Sequence, residues 1–200
     1  MDVVKRPIRE VLRAQRAAQD ASLLACRDAE LTAAILSSPQ WQHAPVIAAF
    51  VGVHGEPDTT ALLDAAWAAG KAVWLPRLYG DTLQFVATGD RSHLVATPRG
   101  AYEPTLGRSP PKVLADLAPS IVLLPGLGFG RDGARIGDGR GHYDRALAPL
   151  RERTDVWRLG LCHALFLDPP QGPIPMAVYD VPVHAVATEY GIIPCATWRR

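Results

Sequence analysis

Ile121-Val122-Leu123-Leu124, held between Pro119-Ser120 and Pro125-Gly126, is the segment that most restricts how this chain can fold. Four branched apolar residues in a row cannot form an amphipathic strand, because successive side chains point to opposite faces. Both faces must be covered, which is the situation of a strand inside a parallel sheet with helices on each side. Val46 to Val51 is a second apolar run of this kind. Ala72-Val73-Trp74-Leu75, ended by Pro76, reads as a third strand, and Leu83-Gln84-Phe85-Val86 as a fourth with one exposed face. Val156 to Cys162 and Val181 to Val186 read as two more.

Helical patterns alternate with these runs. Val4, Ile8, Val11 and Leu12 recur at spacings of three and four, giving a helix over 4–18 with Pro7 in its first turn. Lys5, Arg9, Arg13 and Arg16 fall on a second face of that helix. Leu23, Leu24, Leu31, Ile35 and Leu36 give a second helix, stopped by Ser37-Ser38-Pro39. Thr60 to Ala69 gives a third, with Asp58 or Thr59 as its cap and Gly70 closing it. Pro98 to Pro111 reads as loop. Strand, helix, strand order through the middle predicts an α/β fold with a mostly parallel sheet. No repeat, low-complexity tract or linker splits the 200 residues, so one α/β domain over 1–200 is expected.

With 48% hydrophobic residues, the chain has ample core material. A net charge of +1 excludes a general electrostatic grip on nucleic acid or an anionic membrane. The longest apolar-plus-Gly stretch, Val46 to Val53, falls far short of the roughly 18 to 20 residues of a membrane span. The first residues carry no apolar run after their positive charges, so the cytoplasm is the expected location. Cys26, Cys162 and Cys195 are widely spaced without a C-x-x-C, which points to ordinary thiols rather than a disulfide frame or a zinc site. The six histidines are likewise scattered.

The chemistry is concentrated between Gly126 and Arg145. Gly126, Gly128, Gly130, Gly133, Gly137, Gly139 and Gly141 are interleaved with Arg131, Arg135, Arg140 and Arg145. Glycines let backbone N–H groups approach a phosphate, and arginines offer planar donors that match its oxygens. A helix from His142 to about Leu147 would aim the positive end of its dipole at the same place. The segment follows the Ile121–Leu124 strand, at the strand end where open α/β sheets bind ligands, and it therefore reads as an anion cradle. No Walker A pattern occurs. Gly128-x-Gly130-x-x-Gly133 spells a dinucleotide fingerprint, but Arg131-Asp132-Gly133-Ala134-Arg135 is a poor helix start. A long glycine turn with solvated arginines is the plain alternative. Asp144 has two readings, a helix N-terminal carboxylate or a Mg²⁺ ligand beside phosphates.

Leu124-Pro125-Gly126-Leu127-Gly128-Phe129, followed by Arg135-Ile136-Gly137-x-Gly139-x-Gly141-x-Tyr143-Asp144-Arg145, resembles the signature of the 5-formyltetrahydrofolate cyclo-ligase (methenyltetrahydrofolate synthetase) family. Echoes in the right order extend the resemblance over about residues 5 to 187: Lys5 and Arg9, Glu56 to Thr59, Leu75-Pro76-Arg77, Glu103-Pro104 and Asp180. The resemblance implies a three-layer α/β/α sandwich akin to the sugar-phosphate isomerase and CoA-transferase group. It implies ATP- and Mg²⁺-dependent conversion of 5-formyltetrahydrofolate to 5,10-methenyltetrahydrofolate, with release of ADP and phosphate, through a phosphorylated formyl oxygen. Carried over by position, Lys5 and Arg9 contact the ATP phosphates. Arg135, Ile136, Gly137, Asp138, Gly139, Arg140, Gly141, His142 and Tyr143 wrap the nucleotide, and Asp138 to His142 also face the folate. Arg135 and Tyr143 carry catalysis, Val51 and Glu56 line the folate pocket, with Glu56 near the pterin or N10, and Asp144 and Asp180 hold magnesium. The implied partners are small molecules, ATP and the folate; a monomer is expected over an oligomer.

The pattern departs from the family at Gly130, where an Asp is common and Asp132 could substitute. It departs at His142, where a Tyr is usual, at His184, where a second acid often sits, and at Leu83 and Phe85, where methionines are expected. Two further readings stand beside the enzyme: a nucleotide-binding module that has lost turnover, motivated by Gly130 and His184, and a sugar-phosphate isomerase or transferase on a similar scaffold, which needs no ATP.

Overall fold

The computed structural model describes residues 2–97, 100–107 and 109–196. Helices α1 (Asp2–Ala17), α2 (Ala21–Leu36) and α3 (Pro39–His43) lead into strand β1 (Val46–Ala48) and helix α4 (Thr60–Ala68). The hairpin β2 (Ala72–Tyr79) and β3 (Thr82–Thr88) follows, then two short strands, β4 (Leu94–Ala96) and β5 (Tyr102–Pro104). The second half holds β6 (Ile121–Leu124), β7 (Gly128–Phe129), β8 (Arg135–Ile136), helix α5 (His142–Leu147), β9 (Trp157–Leu161), β10 (Ala185–Thr188) and β11 (Gly191–Pro194).

Seven strands form one sheet in the order β11-β10-β9-β6-β1-β2-β3. The inner pairs from β10 to β2 are parallel, and the edge strands β3 and β11 run antiparallel to their neighbours. The fold is thus α/β with a large, mostly parallel sheet, as the apolar runs predict. The two-residue period sorts the core. Ile121 and Leu123 of β6 pack with α2, α3 and α4 through Leu31, Ile35, Trp41, Leu62 and Ala66. Val122 and Leu124 face the other way, onto Ile8 and Leu12 of α1, Leu147 of α5 and Phe129 and Ile136 of the β7–β8 hairpin. Among the described residues no helix is long and apolar enough to cross a membrane.

Several elements differ from the sequence reading, each for a local reason. Helix α1 starts at Asp2, so Pro7 lies in its second turn rather than its first. A short α3 follows the expected stop because Ser38 accepts a bond from the Trp41 N–H with Pro39 at the first position. Strand β1 pairs over three residues only; beyond Ala49 the chain turns, with Gly52 so close to the Pro57 carbonyl that a Cβ would come within 2.0 Å of its oxygen. Thr59 does not cap α4 through its side chain; its hydroxyl donates to Phe50 O at 2.6 Å and accepts from Gly52 N–H at 3.2 Å, closing that turn. Asp58 instead accepts from the Thr60 N–H at 2.8 Å.

Pro76 does not end β2. Pairing with β1 stops at Trp74, so no ladder bond on that side needs a Pro76 N–H. Opposite it, Phe85 exchanges both backbone bonds with Lys112 instead, at 2.8 and 2.9 Å. The span read as loop from Pro98 to Pro111 contains β5; its residues 98, 99 and 108 lie outside the described residues. The last predicted strand begins at Ala185, four residues later than read, and β11 was not foreseen. Cys26 is exposed and Cys162 and Cys195 are buried free thiols, burial lifting Cys195 to about 12.

Glycine packing fixes the β7–β8 hairpin on the sheet. A Cβ on Gly160 of β9 would sit 2.4 Å from the Phe129 ring, which is fully buried and cannot step aside. Gly160→Ala is therefore expected to destabilise the protein by about 1–3 kcal/mol, measured by urea unfolding; an unchanged midpoint would contradict the packing argument.

Candidate active site

The glycine segment, α1 and the C-terminal ends of β1, β2 and β6 enclose one large cavity of about 1170 Å³. Its wall carries Lys5, Arg9, Arg13, Arg16, Arg77, Arg135 and Arg140 against Glu56, Glu103, Asp138, Asp144 and Asp180. The i, i+4 spacing of Lys5, Arg9 and Arg13 puts a cationic stripe on one side of α1, and the apolar Ile8 and Leu12 seat that helix on the sheet. Lys5 is buried, and its ammonium pairs with Asp180 Oδ2 at 2.5 Å; the same oxygen accepts the Ala177 N–H at 2.7 Å. Arg9 Nε donates to Gly137 O at 2.8 Å, and Arg13 donates to Asp138 O and Oδ1 at 3.2 and 3.0 Å. Arg16 donates to Gly126 O at 2.5 Å. Three arginines of one helix thus tie both ends of the glycine segment.

Within that segment Gly139 and Gly141 adopt φ of +97° and +65°, conformations that side chains disfavour. Arg145 braces the turn by donating to Arg140 O at 2.9 Å and Asp81 O at 3.1 Å. Arg135 is buried, forms an ion pair with Asp144 Oδ1 at 2.9 Å and lies 5.6 Å from the Tyr143 ring centroid. Among the described residues its Nε and that of Arg16 are buried without a hydrogen-bond partner, which suits them to an anionic ligand. Burial pushes the Tyr143 phenol up, so it keeps its proton and acts as a donor. His142 is held below its ordinary value by burial and by Arg145 and Arg140, so it is neutral at pH 7.

Glu56 is half-buried in the wall and loosely held. Its Oε2 accepts the Val53 N–H at 3.3 Å, and its Oε1 stands 3.8 Å from Arg16, beyond hydrogen-bond reach. Burial lifts its pKa to about 6, against the opposing pull of Arg16.

Most of the expected site residues meet here: Lys5, Arg9, Val51, Glu56, Arg135, Gly137 to Tyr143, Asp144 and Asp180 all line the cavity. Ile136 does not; its side chain is fully buried in the apolar core, and its carbonyl accepts the Leu127 N–H. Of the four arginines of the segment, Arg135 and Arg140 reach the cavity, whereas Arg131 pairs with Asp168 at the surface and Arg145 is structural. Asp132 caps the β7–β8 turn by accepting the Ala134 N–H at 3.0 Å and lines no part of the cavity, so it does not substitute for an acid at Gly130. His184 is buried against the Arg158 guanidinium, away from the cavity. Leu83 lines the wall and Phe85 lies in the core. Arg13 and Arg16, which the sequence marks only as part of a polar helix face, join the site through their spacing after Lys5 and Arg9.

Among the described residues no group of three His, Cys, Asp or Glu is placed to hold a metal by itself. Asp144 still fits Mg²⁺ chemistry. It lines the cavity with one oxygen on Arg135, and Mg²⁺ takes one or two carboxylates with the remaining positions filled by phosphate and water. Asp180 lines the same cavity with one oxygen engaged by Lys5.

Fold and site together define an α/β enzyme that takes a polyanionic small molecule against a cationic helix and a glycine turn. The sequence model of the 5-formyltetrahydrofolate cyclo-ligase family matches residues 2–189, and the chain belongs to that family, a family of ATP-dependent ligases. It is 28% identical over 209 residues to the mitochondrial 5-formyltetrahydrofolate cyclo-ligase of Arabidopsis thaliana, covering 95% of this chain and 76% of the relative. It is 30% identical over 157 residues to the Escherichia coli K12 cyclo-ligase, covering 77% and 83%. In fold it is similar to the Aquifex aeolicus 5,10-methenyltetrahydrofolate synthetase, with a TM-score of 0.80 at 21% identity over 98% of this chain and 95% of the other.

The raised Glu56 carboxyl makes a pH prediction. The folded protein holds this proton more tightly than the unfolded chain, which stabilises the fold below about 4.5 and no longer does so once the pH passes about 6. The melting temperature of Glu56→Gln relative to the native protein should therefore rise between pH 4.5 and 7, by the equivalent of about 2 kcal/mol. A difference that stays constant across that range would contradict it.

Proposed function

We propose that the cavity binds ATP and 5-formyltetrahydrofolate together and forms 5,10-methenyltetrahydrofolate, ADP and phosphate. The observation that carries this reading is the meeting of α1 with the glycine segment on one wall, where Arg9 and Arg13 hold Gly137 and Asp138 while buried donor atoms of Arg16 and Arg135 remain without partners. A formamide oxygen is a poor leaving group until it is phosphorylated. Phosphoryl transfer asks for positioning and charge neutralisation more than for a protein nucleophile. Lys5, Arg9, Arg135 and Arg140 supply cations, the Gly137–Gly141 turn lets phosphates approach the backbone, and Tyr143 supplies a protonated hydroxyl. Val51 and Glu56, across the cavity after β1, are assigned to the folate. Asp144, with Asp180, would hold Mg²⁺, which supplies charge neutralisation on the phosphates.

Family membership disfavours the non-catalytic module, and Gly130 and His184, which motivated it, both lie outside the cavity wall. The two-faced layering of helices on the sheet supports an architectural kinship with the sugar-phosphate isomerase and CoA-transferase group, without implying their activities.

The test is absorbance. Protein mixed with Mg-ATP and 5-formyltetrahydrofolate should develop the near-ultraviolet band of the methenyl product with matching ADP release; ATP binding without that band would overturn the reading. Arg135→Ala should raise the KM for ATP at least tenfold, and a loss of thermal stability with normal KM would remove it from the site. Asp144→Ala should lower Mg²⁺-dependent turnover well over tenfold with the fold intact by circular dichroism; unchanged turnover would exclude it.

A further inference from the structure

The ring closure releases a proton from N10 of the folate, and the phosphate that departs needs one. We propose that Glu56 carries it: its carboxylate takes the N10 proton as N10 attacks the phosphorylated formyl carbon, then gives it to the oxygen of the leaving phosphate. This rests on the reading above. The step balances without any further reagent. The N10–carbon bond forms as the carbon–N5 π pair moves onto N5. The N10 proton passes to Glu56. The N5 pair then re-forms the carbon–nitrogen double bond as the carbon–oxygen bond breaks, its electrons leaving on phosphate, which takes the proton from Glu56 and departs as hydrogen phosphate.

The geometry singles out Glu56 among the carboxylates of the wall. Asp144 is bonded to Arg135 at 2.9 Å, Asp180 to Lys5 at 2.5 Å and to the Ala177 N–H, and Asp138 to Arg13 at 3.0 Å in an open position. Glu103 stands near Arg77 with a third of its side chain in solvent, 34%, open to water rather than enclosed with the substrate. Glu56 has 18% side-chain exposure, lines the cavity, and among the described residues has no cation in hydrogen-bond reach. Arg16 acts on it only across 3.8 Å, because one guanidinium nitrogen is engaged at Gly126 O and the group lies over the Phe166 ring at 5.4 Å.

Among the described residues the groups facing Glu56 are Arg16 of α1, His54 of its own loop, Asp138 of the glycine turn and Tyr143 of α5. Arg16 and His54 favour its anion; burial and Asp138 favour its proton. The balance, near 6, lets one group accept and return a proton close to neutral pH.

Single turnovers with enzyme in excess of 5-formyltetrahydrofolate separate the two half-reactions. ADP in quenched samples reports phosphorylation, and the methenyl band reports ring closure. Glu56→Gln should form ADP within about threefold of the native rate while the methenyl band grows at least 100-fold more slowly. Glu56→Asp should recover part of that loss. The native acid limb, falling below pH 6, should be missing from the glutamine variant. Equal slowing of ADP and methenyl formation, or a glutamine variant that keeps both rates, overturns the proposal. A native protein that forms no methenyl product overturns the underlying reading, and the proposal with it.

Discussion

The arrangement depends on hydrogen bonds from the arginines of one helix to backbone carbonyls of one turn. Arg9, Arg13 and Arg16 of α1 donate to Gly137, Asp138 and Gly126, more than a hundred residues away in the chain. Glycines alone give a turn that can approach a phosphate, but they also make it costly to order. The arginines meet that cost by fixing its carbonyls, and the apolar side of the same helix holds the arginines in place on the sheet. The helix therefore does two jobs with two faces, one packing and one ordering the site.

Much of this was legible in the chain. Runs such as Ile121 to Leu124 reported a sheet covered on both faces, since only that environment buries side chains of both parities. The residues from Gly126 to Asp144 located the site because few folds tolerate so many glycines without a ligand to justify them. Less legible was anything decided by distant backbone. Pro76 sits inside a strand because its neighbour's pairing happens to stop at Trp74, and Thr59 spends its hydroxyl on a turn rather than on a helix cap. Neither fact is encoded locally. Ile136 shows the complementary limit: a residue inside a binding motif can serve it only through the core, here with no exposed surface at all.

The wall of the cavity is also graded in charge. Asp138, Asp144 and Asp180 are each paired with a cation at 2.5–3.0 Å. The loop after β1 places one carboxylate, Glu56, 3.8 Å from the nearest guanidinium, beyond hydrogen-bond reach. Burial then acts on that group alone, so a site built from strong ion pairs contains one position that can change its charge state near neutrality.

The two rims of the sheet are not equivalent. The rim of β3 is partly closed by the backbone exchange between Phe85 and Lys112, whereas β11 is the terminal strand at the opposite side. Among the described strands the sheet ends at Gly191–Pro194, on the flank far from β2 and the ligand cleft beside it.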